Sequence, residues 1–229
     1  MSIASQTQTI EYPDSDGLPM AENTLQFQWI VTIQGSLDWI FRDDPDVFVA
    51  GDLLWYPVEG NNKRRAAPDA MVVFGRPKGY RGSYMQWRED DIPPQVVFEV
   101  LSPGNRPREL TDKFQFYDAH QVEEYYVVDP DRNFVDGWIR QAGSLQVIEE
   151  LNGWISPKLG IHFQQVEGQP VRLLQPDGTP FLTYQEARAL TEKARQQAEQ
   201  EFARAEQESA RAERLAAKLR ELGVEPNDI

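Results

Sequence analysis

The chain has 229 residues, of which 40% are hydrophobic, and it carries a formal net charge of −14. This length suits one domain with an appendage or two small domains, and the apolar content excludes a disordered chain. The lack of cysteine excludes disulfides and thiol catalysis, and two histidines, His120 and His162, leave little material for a histidine-rich metal site. The total charge argues against a protein that coats nucleic acid.

The N-terminal segment, residues 1–20, is polar and contains Pro13, Gly17 and Pro19, which predicts a flexible arm. It has no basic start followed by an apolar run, so we expect no signal peptide. No stretch of the sequence approaches the roughly 18 apolar residues of a membrane span. A cytoplasmic protein without a membrane partner is therefore the expectation.

The first predicted elements are a helix and several short strands. Helical spacing of apolar residues between residues 21 and 41 predicts the helix, and the acidic, proline-containing residues 43–46 end it. Two short apolar runs within residues 47–58 predict a hairpin or a bulged strand. Residues 67–74 predict the next strand, and residues 75–88, rich in glycine, arginine and tyrosine, predict a loop.

The central strand is predicted at residues 96–101, an apolar run that Glu99 interrupts. An ionised glutamate in an apolar setting must find a cation, a metal or several donors, or else take up a proton. The segment after the following turn is predicted to be helical from about Arg108, and it carries Lys113. An acid and a base therefore face each other, either as a simple salt bridge or as part of a catalytic site.

The rest of the chain predicts a strand, a β-meander and a long helix. The strand is expected at residues 124–128, and three meander strands are expected within residues 134–166. Residues 184–221 contain no glycine or proline, which predicts one helix. Its alanine-rich seam fits a weak coiled coil, and its charges fit a solvated helix with ion pairs one turn apart. The order of elements predicts a mixed α/β domain at residues 21–183 and a helical unit at residues 184–229.

A second candidate acid, Asp69, follows Pro68 at the head of a predicted strand, where a carboxylate is easily exposed at a sheet edge. The simpler interpretation is a turn residue, since Pro-Asp is common in turns. Two carboxylates from neighbouring strands, here Asp69 and Glu99, can hold Mg²⁺ or Mn²⁺ and leave water in the remaining positions. Such an ion generates hydroxide near neutral pH, and a lysine beside it stabilises charge that develops on a phosphate. The pattern therefore indicates phosphodiester hydrolysis.

A basic segment lies between Gly60 and Arg88, where seven basic residues accompany one acid. It is the strongest candidate for an anion-binding face in this acidic chain, although a solvated basic loop explains the charge as well. The candidate phosphate contacts are Lys63, Arg64, Arg65, Arg76, Lys78 and Arg81.

Three segments occur in the order PDAMVVFG, VVFEVLSPGNRPRELTDKFQFY and VEEYYVVDP. Together they resemble the Uma-type restriction endonuclease family of the PD-(D/E)xK nuclease superfamily, over roughly residues 20–185. The resemblance implies a restriction endonuclease-like fold, in which helices flank a mixed sheet. It also implies a catalytic set of Asp69, Glu99 and Lys113, in which the two acids bind the metal.

The chain departs from the wider superfamily in the position of the lysine. The usual order would place the lysine two residues after the second acid, where this chain has Leu101. The family moves it to the following helix, where Lys113 is the candidate. Asp52, in the preceding predicted hairpin, and Tyr117, four residues after Lys113, are candidate accessory residues.

The leading hypothesis is an endonuclease that hydrolyses DNA with Mg²⁺ or Mn²⁺ as cofactor. A homodimer or higher oligomer is expected because nucleases that cut both strands are often dimers. Hydrolysis of RNA is a variant of this hypothesis. The alternative is a catalytically silent protein that has kept the nuclease fold and acts as an interaction module through its C-terminal helix. The net charge does not exclude a nuclease, because affinity for DNA is set by the local face.

Overall fold

The computed structural model of the protein describes residues 10–17, 19–104 and 106–221. The chain divides into two compact units, Met1–Thr183 and Tyr184–Ile229. Within the described ranges, no helix has both the length and the apolar character needed to cross a membrane.

The first unit contains two helices and ten strands in the residues that the structure describes. In chain order they are α1 (Thr24–Ile40), β1 (Val47–Ala50), β2 (Trp55–Tyr56), β3 (Ala70–Phe74), β4 (Tyr84–Met85), a short 3₁₀ helix (Gln86–Arg88), β5 (Val96–Val100), α2 (Pro107–Ala119), β6 (Glu124–Asp129), β7 (Phe134–Gln141), β8 (Ser144–Val147), β9 (His162–Gln164) and β10 (Arg172–Leu174).

Six of the strands form one mixed sheet with the order β1-β3-β5-β6-β7-β8. Strands β5 and β6 are parallel and are joined through α2, whereas every other neighbouring pair in this sheet is antiparallel. The strand, turn and helix predicted around Glu99 thus form the first part of a crossover between two central strands. The predicted mixed α/β fold is confirmed.

The sheet has a buried layer on each face because the central strands alternate their side chains between two apolar clusters. Phe98 belongs to the cluster that contains Ile33 and Leu37 of α1. Val97 belongs to the cluster that contains Tyr117 of α2. Full burial of a side chain such as Phe98 contributes roughly 1.5–3 kcal/mol, so both helices are held to the sheet mainly by apolar contact.

The prediction of a hairpin or a bulged strand within residues 47–58 is wrong in both forms. Strand β1 joins β3 in the main sheet, whereas β2 pairs with β4 in a separate parallel two-stranded sheet. The connection turns at Asp52, which has a positive φ of 48° and donates its backbone N–H to the Pro68 carbonyl at 3.0 Å. The chain therefore leaves β1 without pairing back onto it, and the predicted loop of residues 75–88 contains β4.

The meander is continued by β7 and β8, but its third predicted strand does not join the main sheet. Only its end forms β9, which pairs with β10.

The carboxylate of the buried Glu124 accepts hydrogen bonds from the Ser156 hydroxyl and, at 2.7 Å, from the Lys158 N–H. These bonds stabilise a turn, which the Gly160 N–H closes on the Ser156 carbonyl at 2.8 Å.

The predicted arm lies partly outside the described residues, since residues 1–9 and 18 are not among them. Its described part contacts the domain. The Tyr56 hydroxyl donates to the Pro13 carbonyl at 2.7 Å, and the Tyr12 ring packs edge-on against the Tyr56 ring. Tyr12 and Pro13 therefore lie against the end of β2.

The second unit consists of α3 (Tyr184–Glu221), and residues 222–229 lie outside the described ranges. None of the described residues of α3 is buried. Arg195 forms ion pairs with Glu192 and Glu199, one turn away on either side. Such pairs stabilise an isolated helix by a few tenths of a kcal/mol each, on the order of 0.2–0.5.

Candidate active site

Two carboxylates meet where β3 begins and β5 ends. The antiparallel register pairs Ala70 with Phe98, so Asp69 stands opposite Glu99. The two side chains are in hydrogen-bonding contact, and Asp69 Oδ2 also accepts the Val100 N–H at 2.6 Å. The structure therefore brings together the two acids that the sequence analysis singled out.

Glu99 is buried, with 2% of its surface exposed, and both of its oxygens have partners on α2. Lys113 Nζ lies 2.7 Å from Oε2, and the Tyr117 hydroxyl donates to Oε1 at 2.5 Å. Lys113 and Tyr117 are four residues apart, so they project from the same face of the helix. A lysine on the following helix thus reaches the acid on the strand.

Lys113 supplies one positive charge beside the two acids, which is too little to keep both carboxyls ionised at neutral pH. Burial, followed by the charge of Glu99, raises the pKa of Asp69 to about 8. Burial lowers the pKa of Lys113, but the neighbouring carboxylates, with Glu99 first among them, together outweigh this effect and raise the pKa above its ordinary value. One lysine therefore serves two buried carboxyls, and Asp69 stays largely protonated below about pH 8 unless further positive charge is supplied.

A divalent cation fits this donor set, because Mg²⁺ and Mn²⁺ prefer carboxylate and water oxygens and would supply the missing charge. In the described part of the chain, no group of three or more His, Cys, Asp or Glu side chains is arranged to hold a metal ion. Asp69 and Glu99 would therefore hold such an ion together with water or substrate oxygens.

Asp52 lies beside the two acids. Burial, followed by the charge of Asp16, raises its pKa, and it also interacts electrostatically with Lys113 and Glu99. The preceding Gly51 allows this turn to approach the backbone of Asp69 closely, since a Cβ at residue 51 would lie 3.2 Å from the Asp69 carbonyl oxygen. Asp52 is thus placed where an accessory acid would act.

A cavity of about 660 Å³ opens onto these groups. Its wall includes Asp52, Asp69, Glu99 and Lys113, together with Arg65 before β3 and residues of the segments that precede α1 and α2. The cavity places solvent or a ligand next to otherwise buried acids. An enclosed salt bridge would need no such opening.

Gln26 is a neighbour of the site that the sequence prediction did not include. Its Nε2 donates to the Val100 carbonyl and its Oε1 accepts the Glu22 N–H, each at 2.8 Å. This side chain ties the start of α1 to the C-terminal end of β5. The sequence feature that could have identified Gln26 is its position four residues before Ile30, on the buried stripe of α1.

The six candidate phosphate contacts fall into two groups. Three of them have acidic partners: Arg76 and Arg81 pair with Glu89, and Lys78 lies 3.6 Å from Asp38. These three residues do not contribute to the wall of the cavity at the acidic site or of a second, smaller cavity nearby. The other three line a second cavity of about 300 Å³; they are Lys63, Arg64 and Arg65.

Residues 6–172 match the Uma2 family, whose description is "Putative restriction endonuclease". The chain belongs to this family. Among solved structures, it is similar to a putative nuclease of the DUF820 group from Anabaena variabilis. The identity is 14%, the TM-score is 0.44, and the alignment covers 59% of this chain and 72% of the other. No protein of curated function matches the chain significantly.

Proposed function

We propose that this protein is an endonuclease that hydrolyses DNA phosphodiester bonds with Mg²⁺ or Mn²⁺ as cofactor. The observation that carries the proposal is the contact of Asp69 with Glu99 beside Lys113, at the wall of an open cavity. Membership in a family of putative restriction endonucleases supports the same reaction class. The proposed location is the cytoplasm.

Each side chain has a role that its contacts support. Asp69 and Glu99 would hold the divalent ion, which lowers the pKa of bound water and neutralises charge on the phosphate. Lys113 keeps a full positive charge next to Glu99 and can donate to a phosphate oxygen as negative charge develops. Tyr117 fixes the orientation of Glu99 through its hydroxyl, and Asp52 adds negative charge to the same wall.

A cleavage assay tests the proposal. The full-length protein is incubated with duplex DNA and, in parallel, with RNA of the same sequence, in Mg²⁺, Mn²⁺ or EDTA. Cleavage of DNA is expected only with a metal, and it is expected to disappear in Asp69→Asn and in Glu99→Gln. Asp136→Asn, on β7 and outside the cavity, is the matched control. Undiminished cleavage in both site variants would refute the assignment, and cleavage of RNA alone would move the proposal to RNA.

A second candidate function is that of an interaction module that acts through α3. It is favoured by the 38 residues of α3, none of which is buried. Light scattering on the full chain and on a chain ending at Thr183 separates the two functions. An oligomer that is lost on truncation, in a protein that cleaves neither nucleic acid, would favour the module. A homodimer that cleaves DNA would favour the nuclease.

A further inference from the structure

The geometry points to a second phosphate-binding subsite formed by Lys63, Arg64 and Arg65. It holds the DNA strand at a phosphate beside the one that is cleaved, and His120 orients Arg64 within it. This inference rests on the proposed function, because it assigns the path of the same substrate away from the acidic centre.

The first observation is charge without an acidic partner. Among the described residues, no carboxylate forms an ion pair with Lys63, Arg64 or Arg65, although the chain carries a net charge of −14. The Arg76 and Arg81 guanidinium groups, by contrast, are held by Glu89. The three cations therefore remain available to an external anion.

The second observation is a fixed backbone beneath these cations. The Asn61 side-chain oxygen accepts the N–H groups of Lys63 and Arg64 at 3.1 and 3.2 Å, which closes a tight turn. Ala66 and Trp55 exchange backbone hydrogen bonds of 2.8 and 3.2 Å and anchor the end of the segment. A ligand that binds here has little backbone to order, which lowers the entropic cost of binding.

The third observation is the contact between Arg64 and His120 at the end of α2. Arg64 Nε donates to His120 Nε2 at 2.6 Å, and the imidazole ring packs against Trp55 and Phe116. Burial, and then the charge of Arg64, lower the pKa of His120 to about 4, so the ring is a neutral acceptor. The contact occupies Nε and leaves both terminal NH₂ groups of Arg64 for the two-pronged binding of a phosphate.

The fourth observation is continuity with the acidic centre. Arg65, Asp112 and Phe116 line both the second cavity and the cavity that contains Asp69 and Glu99. A ligand with phosphates in series can therefore occupy both cavities at once. Lys63 and Arg64 are exposed, so a single phosphate ion gains little here and a polyanionic strand gains several contacts.

Binding measured without cleavage tests the subsite. Fluorescence anisotropy of a fluorescein-labelled DNA duplex is recorded in EDTA, with the full-length protein over a range of salt concentrations. Each lost phosphate contact makes the slope of log K against log salt less steep by about 0.9. If the variant and the wild type bind equally at about 1 M salt, the variant then binds about eightfold more weakly than the wild type at about 0.1 M. Arg64→Ala is expected to show both changes.

Matched variants separate the orientation of Arg64 from its charge. His120→Ala is expected to weaken binding, and His120→Gln, which keeps an acceptor for Arg64 Nε, is expected to recover most of it. Lys63→Ala, at an exposed position, provides a second test if Arg64→Ala fails to fold. Arg172→Ala, which removes an exposed cation from β10, is expected to bind as the wild type does.

An unchanged affinity and salt slope in folded Arg64→Ala and Lys63→Ala would overturn the subsite. Equal losses in His120→Ala and His120→Gln would overturn the role of His120. Binding that depends on Arg64 in a protein that cleaves no DNA would uphold the subsite and refute the nuclease. Metal-dependent cleavage whose KM for DNA is unchanged in Arg64→Ala would refute the subsite and uphold the nuclease.

Discussion

Replacing Asp69 with asparagine should change how the stability of the metal-free protein depends on pH. The folded protein holds this carboxyl at a pKa of about 8, against 3.8 for an unperturbed group, because of burial and the adjacent Glu99. The folded state therefore binds more protons than the unfolded state. Its contribution to stability is complete below about pH 4 and is lost as the pH rises through about 8.

The shift of about four pH units, at about 1.36 kcal/mol each, sets an upper bound of ~6 kcal/mol on this loss. Between about pH 5 and pH 8 the free energy of unfolding of the wild type should fall by about 4 kcal/mol relative to Asp69→Asn. The asparagine oxygen can still accept the Val100 N–H, so the variant keeps the local hydrogen bond. The comparison thus isolates the carboxyl proton.

Urea unfolding in EDTA, followed by tryptophan fluorescence at a series of pH values, measures this difference. The curve of wild type minus variant should decline across the interval and level off above about pH 8. Parallel pH profiles for the two proteins would refute the claim that Asp69 is a buried, proton-bearing partner of Glu99. Asp43→Asn, which removes an exposed carboxyl that follows α1 and does not line the cavity, provides the control.

Three further substitutions test the neighbouring contacts. Lys113→Met leaves the Glu99 charge buried without its cation and should lower the free energy of unfolding at neutral pH by roughly 3–5 kcal/mol, measured in urea; a loss below about 1 kcal/mol would contradict the ion pair. Tyr117→Phe keeps the ring but removes the hydroxyl that binds Glu99, so it should cost roughly 1–3 kcal/mol and reduce kcat for DNA with little change in KM. Glu124→Gln places an amide NH₂ group, which donates, next to the Ser156 hydroxyl and the Lys158 N–H, which now donate to the carboxylate. It should destabilise the turn at Ser156 by roughly 1–3 kcal/mol, detectable as faster proteolysis there. Unchanged proteolysis would contradict the anchoring role of Glu124.

The convergence of the two acids could be predicted because it depends on local pattern. Glu99 interrupts an apolar strand at a position that shares a face with Val97, so its side chain had to point into the domain. Asp69 stands at the head of the neighbouring strand, and the antiparallel register places it opposite Glu99. Helical spacing then placed Lys113 and Tyr117 together on α2.

Other features depend on contacts between distant segments, which a local pattern does not encode. The hairpin prediction failed because β2 pairs with β4, about 30 positions later in the chain, rather than with β1. The division of the basic residues depends on Glu89, which neutralises Arg76 and Arg81 after the intervening segment folds back. Similarly, the role of Gln26 depends on the packing of α1 against the end of β5.

Isothermal titration of Mn²⁺ into the metal-free protein, near pH 8, tests most directly whether the paired carboxylates form a metal site. We predict that the wild type binds the ion and that Asp69→Asn and Glu99→Gln each bind it more weakly. Loss of an outer-shell partner of a metal costs roughly 10–100-fold in affinity, and loss of a direct ligand is expected to cost at least as much. Asp136→Asn should bind as the wild type does. Mn²⁺ binding of equal affinity in all four proteins, or no binding to the wild type, would contradict the account.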